Sequence, residues 1–267
     1  MADDITLDPS APVPRHLYKY RSLRGEAKSY ARDLIVNQQL RFARPAELND
    51  PFEFRPVVEL SATHDQWRRY AKEAAQRNLS DKSRAERRRG ESMMRGGTRT
   101  TKSALAASYR VTMDNVGVFS MSSQPLDLLM WPHYADNHAG VCVRFASDAL
   151  VNAQHMPMRV TYSCERPVTN PILEEPEVML HKAALTKGLP WAYEQEWRLI
   201  LNRLGGRVVR VGPPVISGVI LGARVSPEDR AEVLGWVAAC DRPMEVFEAR
   251  FHPHAYALDL EPVSPAN

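Results

Sequence analysis

The side chains best suited to chemistry are concentrated in two short segments. The first is a polar run within eight positions, and it contains Trp131, His133, Tyr134, Asp136, Asn137 and His138. Gly140 follows, and residues 141–145 form an apolar run typical of a buried strand. A connection that leads into a core strand is held by a rigid scaffold and often carries functional groups. The alternative is an irregular loop whose polar groups satisfy its own backbone.

The second segment is Glu194-Gln195-Glu196, which precedes the apolar run 197–201. That run predicts a strand, and carboxylates at positions i and i+2 of a strand point to the same face. Their mutual repulsion is expected to separate their pKa values, which suits an acid–base group beside a carboxylate that stabilises positive charge. The alternative is an exposed strand end with solvated acids.

The elements that must position these groups follow from periodicity and turn signals. Strands are predicted at 16–22, 40–43, 116–123, 141–145, 158–163, 197–201, 208–211, 216–221, 244–247 and 255–260, and helices at 25–39, 64–89, 101–113, 177–188 and 227–239. Gly205-Gly206 predicts a hairpin between the strands at 197–201 and 208–211. Separate runs of strands and helices indicate an α+β fold.

The composition of the chain is that of an ordinary globular protein. It has 267 residues, of which 44% are hydrophobic and 25% charged. This length suits one α+β domain, predicted at 16–260, between a Pro-containing flexible arm at 1–15 and a tail at 261–267. No apolar run approaches the roughly 20 residues that a membrane span needs. The acidic N-terminus does not resemble a secretory signal.

The metal-ligating residue types show no spacing of a metal site. Cys142, Cys164 and Cys240 are isolated, and the His residues form no His-x-x-Glu-His pattern. We therefore predict no metal site, and the isolated cysteines favour a cytoplasmic protein. The chain also lacks a phosphate-cradling Gly-x-x-x-x-Gly-Lys loop and a Gly-x-Ser-x-Gly elbow.

One segment of the chain is strongly basic. Residues 61–110 hold 13 Arg and Lys against 5 Asp and Glu, a net charge of +8, so the rest carries −5 of the total of +3. Residues 84–89 contain four arginines. We predict a basic helical insertion at about 61–113 that contacts nucleic acid through residues 64–102, because clustered cations displace counterions from phosphates. The alternative is a solvated helical surface.

Four motifs, in order, resemble those of the uncharacterised bacterial family DUF2971. They are Leu17-Tyr-Lys-Tyr-Arg-Ser22, Asn49-Asp-Pro-Phe-Glu53, Met130 to Gly140, and Glu194-Gln-Glu-Trp-Arg-Leu199. The resemblance covers roughly residues 16–260, and the basic insertion lies outside the motifs. Their order is also similar to that of the ADP-ribosyltransferase superfamily. This second resemblance implies a split, mostly antiparallel sheet with flanking helices.

The similarity to ADP-ribosyltransferases implies a site for NAD, which is the substrate of those enzymes. The residues that would bind NAD are Lys19, Tyr20, Arg21, Ser22, Asn49, Asp50, Ser120, Trp131 and His133. A His often stands in the family where this chain has Lys19, and Arg21 has the planar fork that suits phosphate oxygens. Asn49-Asp50 before Pro51 also has the pattern of an Asx turn, a purely structural alternative.

Two elements compete for the second motif of such a site. One is Phe119-Ser120-Met121-Ser122, similar to an aromatic-x-Ser-Thr-Ser motif except at Met121, and the other is Tyr134 in His133-Tyr134-Ala135-Asp136. Both could line a single cleft, and the sequence leaves the choice open. Tyr134 or Trp131 could also stack on the nicotinamide ring.

The resemblance implies the roles of the catalytic residues. Breaking the nicotinamide–ribose bond builds oxocarbenium character on the sugar, and a fixed carboxylate stabilises that charge more in the transition state than in bound NAD. We assign this role to Glu196, and we assign to Glu194 the orientation or deprotonation of the acceptor. Tyr134 completes the predicted catalytic set.

The leading hypothesis is therefore an enzyme of the ADP-ribosyltransferase type that modifies nucleic acid or protein, or hydrolyses NAD. By analogy it would be a toxin or phage-defence effector with an antitoxin or defence partner. A nucleic-acid-binding module with a degenerate site and another nucleotide-handling hydrolase are the alternatives.

Overall fold

The structure is a computed structural model that describes residues 12–153, 155–202, 204–212 and 214–263. Most of the predicted N-terminal arm, residues 1–11, and the last residues of the predicted tail, 264–267, lie outside this range. The described part of the arm is packed, since Val13 contacts the core and the Arg15 carbonyl accepts the Ser147 amide at 3.1 Å.

The strands and helices agree with most of the predicted elements. The strands are β1 (His16–Arg21), β2 (Gln39–Arg41), β3 (Val57–Val58), β4 (Gly117–Ser122), β5 (Val141–Ala146), β6 (Met158–Arg159), β7 (Thr161–Ser163), β8 (Val168–Thr169), β9 (Thr186–Gly188), β10 (Glu196–Leu201), β11 (Val208–Arg210), β12 (Ile216–Leu221), β13 (Glu245–Phe251) and β14 (Leu258–Pro262). The helices are α1 (Gly25–Asn37), α2 (His64–Asn78), α3 (Arg84–Met94), α4 (Arg99–Asp114), α5 (Met130–Tyr134), α6 (Ser147–Asn152), α7 (Pro176–Leu185) and α8 (Pro227–Ala238), with 3₁₀ turns at Pro45–Glu47 and Leu189–Glu194. Because β14 reaches Pro262, the predicted tail begins too early.

The main sheet of the described residues has eight strands in the order β14-β13-β12-β5-β1-β4-β10-β6. Its neighbours are antiparallel except β12 and β13, which are parallel and connected through α8. The helices α1 and α8 bury Leu34, Ile35, Val233 and Trp236 in the same cluster as the apolar side chains of β5. This arrangement confirms the predicted α+β class and the mostly antiparallel sheet with flanking helices.

Two predictions about strand pairing are wrong. The predicted strand 158–163 is divided into β6, which pairs with β10, and β7, which pairs with β9. The predicted hairpin at Gly205-Gly206 does not form, because β11 pairs with β2. The Gly206 amide donates to the Phe42 carbonyl at 2.8 Å, so this turn is held by the residue that follows β2.

The basic insertion is helical, as predicted, and its helices have clear start signals. Thr63 and Gln66 form a capping box at α2, and Ser83 and Glu86 form another at α3. The helix α2 buries Trp67 and three alanines, whereas α3 buries no residue. Within the described part of the chain, no helix is long and apolar enough to cross a membrane.

The main sheet opens between β1 and β4. Within the described residues, Tyr18 opposite Ser122 is the one paired position between these strands, whereas β1 and β5 pair along six positions. The Lys19 Nζ spans the opening and donates to the Ser120 carbonyl at 2.6 Å. A backbone carbonyl away from water needs a donor, so the lysine side chain replaces the missing strand amide. The opening leads to a cavity.

We expect Gly140→Ala to destabilise the protein by about 1–3 kcal/mol, because overpacking has this cost. A Cβ at position 140 would lie 2.3 Å from the Arg21 carbonyl oxygen and 2.9 Å from the Ala135 Cα, and backbone cannot yield like a side chain. Urea unfolding measures the change in free energy.

The matched control is Gly235→Ala in α8, where a Cβ meets no atom within 4 Å. This variant is expected to be more stable by up to about 1 kcal/mol, the difference in helix propensity between Ala and Gly. Equal stability of the Gly140 variant and the wild type would show that this backbone contact is not tight.

Candidate active site

The opening between β1 and β4 contains a cavity of about 240 Å³. Residues from distant parts of the chain line it, and among them are the predicted Lys19, Tyr20, Arg21, Asn49, Ser120, Tyr134, Glu194 and Glu196. The cavity therefore brings together residues of all four motifs. Ser120 and Tyr134, the rivals for the second motif, both lie in its wall.

A buried cluster of five charged groups forms one side of the cavity. Lys187 donates to Glu194 at 2.5 Å and forms ion pairs with Glu53 at 3.1 Å and Glu196 at 3.2 Å. Arg198 binds both oxygens of Glu196, at 2.7 and 2.8 Å, and also contacts Glu53. All five side chains are buried, and Arg198 is 0% exposed. Fully ionised, three carboxylates and two cations leave this cluster with one excess negative charge.

The two predicted catalytic carboxylates differ in their proton affinity. Burial raises the pKa of Glu194, although Lys187 acts in the opposite direction. Burial also disfavours the ionised form of Glu196, but the charges of Arg198 and Lys187 outweigh it and lower the pKa of that carboxyl. Glu196 is therefore a fixed anion, and Glu194 is the more readily protonated of the two carboxyls.

Tyr134 is the hydrogen-bond partner of Glu194 inside the cavity. Its hydroxyl donates to the Glu194 Oε1 at 2.6 Å, and the Asn49 side chain also hydrogen-bonds this hydroxyl. Burial and the nearby Glu194 carboxylate raise the pKa of Tyr134, so the phenol stays protonated and acts as a donor. The main chain of Glu194 is held as well, because the Ser122 hydroxyl donates to its carbonyl at 2.6 Å.

The expected position of Glu194 on a strand is wrong. Glu194 ends the 3₁₀ turn Leu189–Glu194, Gln195 has a left-handed backbone with φ of 42°, and Glu196 begins β10. The Tyr162 hydroxyl accepts the Glu196 amide at 2.7 Å and fixes the start of this strand. The two carboxylates converge because both bind Lys187 from β9, and a shared strand face is not the cause.

The Asn-Asp-Pro-Phe-Glu motif forms the predicted Asx turn. The Asp50 Oδ1 accepts the Phe52 amide at 2.9 Å, and the Glu53 amide donates to the Asp50 carbonyl at 3.2 Å. Phe54 then adopts a left-handed conformation with φ of 56°. The turn directs Glu53 into the charged cluster, while Asp50 stabilises the turn and does not line the cavity.

The first strand provides the cationic side of the cavity. Lys19 and Arg21 alternate with Tyr20, whose hydroxyl donates to the Gln124 carbonyl at 2.6 Å. The Arg21 Nε is buried without a hydrogen-bond partner, and no carboxylate of the described residues pairs with this guanidinium. Burial, aided by the charge of Arg21, lowers the pKa of Lys19 to about 7. Arg41 lines the same side and binds Glu47 at 3.0 Å.

Most of the polar run that follows α5 has a structural role. Asp136, Asn137 and His138 have φ of 51°, 52° and 72°, a left-handed path that is rare outside glycine. The Asp136 Oδ2 accepts the Ser22 hydroxyl at 2.6 Å and the Leu23 amide at 2.9 Å. This path turns the chain into β5.

Four predicted NAD contacts lie outside the cavity wall: Ser22, Asp50, Trp131 and His133. Trp131 is 0% exposed and packs edge-on against Tyr20, with 5.2 Å between the ring centroids. Its indole N–H donates to the Pro125 carbonyl. Trp131 is therefore a core residue that cannot stack on a ligand. His133 is exposed and lies 3.4 Å from the Tyr193 hydroxyl. Ser22 is engaged by Asp136.

Three functional candidates were missed from the sequence. Glu53 and Arg198 belong to motifs of the family resemblance, so their position in those motifs could have identified them. Lys187 stands in no motif, and no local pattern marks it as the residue that binds three carboxylates. Within the described residues, no group of His, Cys, Asp and Glu side chains is arranged to hold a metal ion.

A second cleft lies on the other side of Lys187 and Glu53. Its volume is about 500 Å³, and its wall includes both residues together with Phe52, Trp191 and Cys164. The Lys187 Nζ lies 4.7 Å from the centroid of the Trp191 ring, and Phe52 is 64% exposed. The buried Glu53–Lys187 ion pair therefore separates two clefts.

Comparison with known proteins finds the predicted family over part of the chain. The family described as "Protein of unknown function (DUF2971)" matches residues 130–199, a range that includes Tyr134, Lys187, Glu194, Glu196 and Arg198. No curated protein and no solved structure matches the chain. The similarity to ADP-ribosyltransferases stays a prediction.

We expect Arg198→Met to destabilise the protein by about 3–5 kcal/mol, the usual effect of removing one member of a buried ion pair. Glu53 and Glu196 would then share Lys187 alone. The pKa of Glu196 is lower in the folded protein than in the unfolded chain, where it is about 4.3. The ionised carboxylate therefore stabilises the folded state at pH values above about 4.3, and this stabilisation is lost as the pH falls below that value. The difference between variant and wild type should therefore shrink below that pH in urea unfolding.

Arg250→Met serves as the matched control, because Arg250 is exposed and its ion pairs with Glu248 and Glu261 lie at the surface. Surface pairs contribute at most about 1 kcal/mol. Similar losses of unfolding free energy in the Arg198 and Arg250 variants would contradict the central role of Arg198.

Proposed function

We propose that this protein, whose residues 130–199 match DUF2971, is an NAD-dependent enzyme of the ADP-ribosyltransferase type. It cleaves the nicotinamide–ribose bond and transfers ADP-ribose to nucleic acid, to protein or to water. The observation that carries the proposal is the arrangement of opposite charges across one cavity. Glu194 and Glu196 line this cavity together with Arg21, and no carboxylate of the described residues pairs with that guanidinium.

The carboxylate side suits a sugar that is losing its base. Departure of nicotinamide places positive charge on the ribose ring, and the excess negative charge of the buried cluster would stabilise it. Glu196 is held by Arg198 and Lys187, so its charge requires little reorganisation during the reaction. In this assignment Glu196 supplies a fixed negative charge, and the five groups of the cluster together supply the net negative charge.

Glu194 is assigned the acid–base role. Its raised pKa brings it closer to neutral pH, where an efficient general base titrates. The Tyr134 hydroxyl, whose oxygen lies 2.6 Å from the Glu194 Oε1, orients this carboxyl by donating its hydrogen to it. Glu194 would take the proton of the acceptor hydroxyl as the acceptor oxygen bonds to the sugar.

The cationic side suits the diphosphate of NAD. Arg21 presents a planar fork with no carboxylate competing for it, and Arg41 and Lys19 lie in the same wall. A volume of about 240 Å³ is smaller than the roughly 300–1,000 Å³ of a typical small-molecule site. We therefore place the nicotinamide–ribose end inside the cavity and the adenosine end outside it.

Glu194→Gln should lower the release of nicotinamide from NAD by about 100-fold or more, the usual contribution of a general base. The assay measures free nicotinamide over time with the folded protein. Glu196→Gln should lose activity as well, and its unfolding is measured in parallel because the change also weakens the buried cluster.

The control for this assay is Glu177→Gln, which alters an exposed carboxylate on α7 and should keep full activity. Undiminished nicotinamide release by the Glu194 variant would exclude the assigned base. A wild type that releases another product from a nucleotide would favour a different nucleotide-handling hydrolase.

Nucleic-acid binding is the second candidate function, and the exposure of α3 favours it. This helix carries Arg84, Arg87, Arg88 and Arg89 and buries none of its residues. A helix with no buried face contributes little to the core, so its charges are available to phosphates. The same surface would bring a nucleic-acid acceptor to the protein.

Replacing Arg84, Arg88 and Arg89 by Gln should weaken DNA binding and reduce the slope of log K against log salt by about 0.9 for each lost phosphate contact. Fluorescence anisotropy at several salt concentrations measures both quantities. Replacing the exposed Arg15, Arg32 and Arg207 instead removes the same charge elsewhere and should leave the slope unchanged. Equal slopes for both triple variants would rule out α3 as the binding surface.

A further inference from the structure

Lys19 and Arg21 form a pair of functional groups that the proposed reaction does not fully use. They stand at positions i and i+2 of β1, and both line the cavity. Residues at this spacing of a strand lie on the same face. An amine and a guanidinium are therefore presented together to any molecule in the cavity.

The surroundings of the Lys19 amine favour its neutral form. Its side chain is half-buried, the amine forms no ion pair with a carboxylate of the described residues, and Arg21 is its close cationic neighbour. Lys187 acts in the same direction, while Glu194 and Glu196 favour the cation, as does the Phe119 ring at 5.0 Å. The balance lowers the pKa of Lys19 to about 7, so a large fraction of the amine is unprotonated at neutral pH.

The hydrogen bond of Lys19 leaves its lone pair available. The Nζ donates to the Ser120 carbonyl at 2.6 Å. A neutral amine can donate one hydrogen to this carbonyl and still attack an electrophile with its lone pair. Desolvation beside another cation is an established way in which proteins activate a lysine as a nucleophile.

We propose that Lys19 is a nucleophilic lysine that forms a Schiff base with the open-chain aldehyde of a phosphorylated sugar, whose phosphate is bound by Arg21. The Nζ lone pair bonds to the aldehyde carbon, the carbonyl oxygen takes up a proton, and a carbinolamine forms. Loss of water from the carbinolamine then gives the imine. No oxidant or reductant is required, and hydrolysis reverses the sequence.

The phosphorylated class of aldehyde follows from the second member of the pair. Arg21 lines the cavity, and no carboxylate of the described residues pairs with it. A phosphate oxygen in the cavity would accept a charge-assisted hydrogen bond from this guanidinium, the strong kind in proteins. ADP-ribose, which combines a diphosphate with a ribose that opens to an aldehyde, belongs to the same class. The inference does not require that the protein cleaves NAD, because every aldose phosphate offers both groups.

The test traps the imine with sodium cyanoborohydride, which reduces it to a stable secondary amine. The protein is incubated with ribose 5-phosphate at pH 7, and modified peptides are identified by mass spectrometry. We expect Lys19 to be labelled at least about tenfold faster than the exposed Lys72 and Lys82, because Lys19 has a lowered pKa and lies in the cavity beside Arg21. Labelling of Lys19 should fall as the pH is lowered below 7.

Two variants separate the roles of the pair. Lys19→Arg keeps a donor for the Ser120 carbonyl and should lose the fast label. Arg21→Ala should slow labelling by ribose 5-phosphate about tenfold more than it slows labelling by ribose. Both sugars lose the cation that favours the neutral Lys19 amine, whereas only ribose 5-phosphate also loses a charge-assisted hydrogen bond. Unfolding curves establish that each variant is folded. The comparison of labelling rates among the lysines of the wild type does not depend on either variant.

Labelling of Lys19 no faster than that of Lys72 and Lys82 would overturn the proposal and leave Lys19 the structural role of holding the Ser120 carbonyl. If Arg21→Ala slows the labelling of Lys19 by ribose and by ribose 5-phosphate to the same extent, the assigned phosphate contact is overturned. The assay contains no NAD, so its failure leaves the nicotinamide-release experiment unaffected.

Discussion

The structure depends on the neutralisation of three buried carboxylates by two buried cations. Glu53, Glu194 and Glu196 reach the cluster from different segments, and each is held by Lys187. An isolated ionised carboxylate has a large desolvation cost in such a place, so every member needs the others. This mutual requirement links the positions of the Asx turn, the 3₁₀ turn and β10.

The opening between β1 and β4 is the second constraint, and the two act together. Strands that paired along their full length would leave no space in the sheet for a ligand. Here the pairing within the described residues is limited to Tyr18 and Ser122, and the Lys19 side chain satisfies the carbonyl that the opening exposes. The charged cluster lies beside this gap, where its groups face a cavity and not the apolar core.

The sequence predicted local features well and distant contacts poorly. The helices α1, α4 and α8, the buried run of β5 and the Asx turn at Asp50 depend on neighbouring residues and formed close to their expected positions. The helix expected at 64–89 is divided into α2 and α3. The hairpin at Gly205-Gly206 failed because β2, far away in the chain, occupies the expected place beside β11. A turn signal states where a chain can reverse, and it cannot state which strand is available for pairing.

The candidate site shows the same division. The motifs identified Glu194, Glu196 and Tyr134, and the structure brings them together. Arg198 and Glu53 meet across 145 positions of the chain, and Lys187 carries no local signal at all. Trp131 shows the opposite error, since a large aromatic beside polar residues was assigned to a ligand and lies in the core. Residue type suggested the chemistry, whereas burial decided which side chains are available for it.

Glu53 and Lys187, which form an ion pair, line both clefts. An anion that enters the first cleft attracts the ammonium group, and Glu53 and the Trp191 face then lose part of their counter-charge. A molecule in the second cleft exerts the reverse pull. Because both clefts share these two side chains, any coupling between molecules bound in them would be reciprocal.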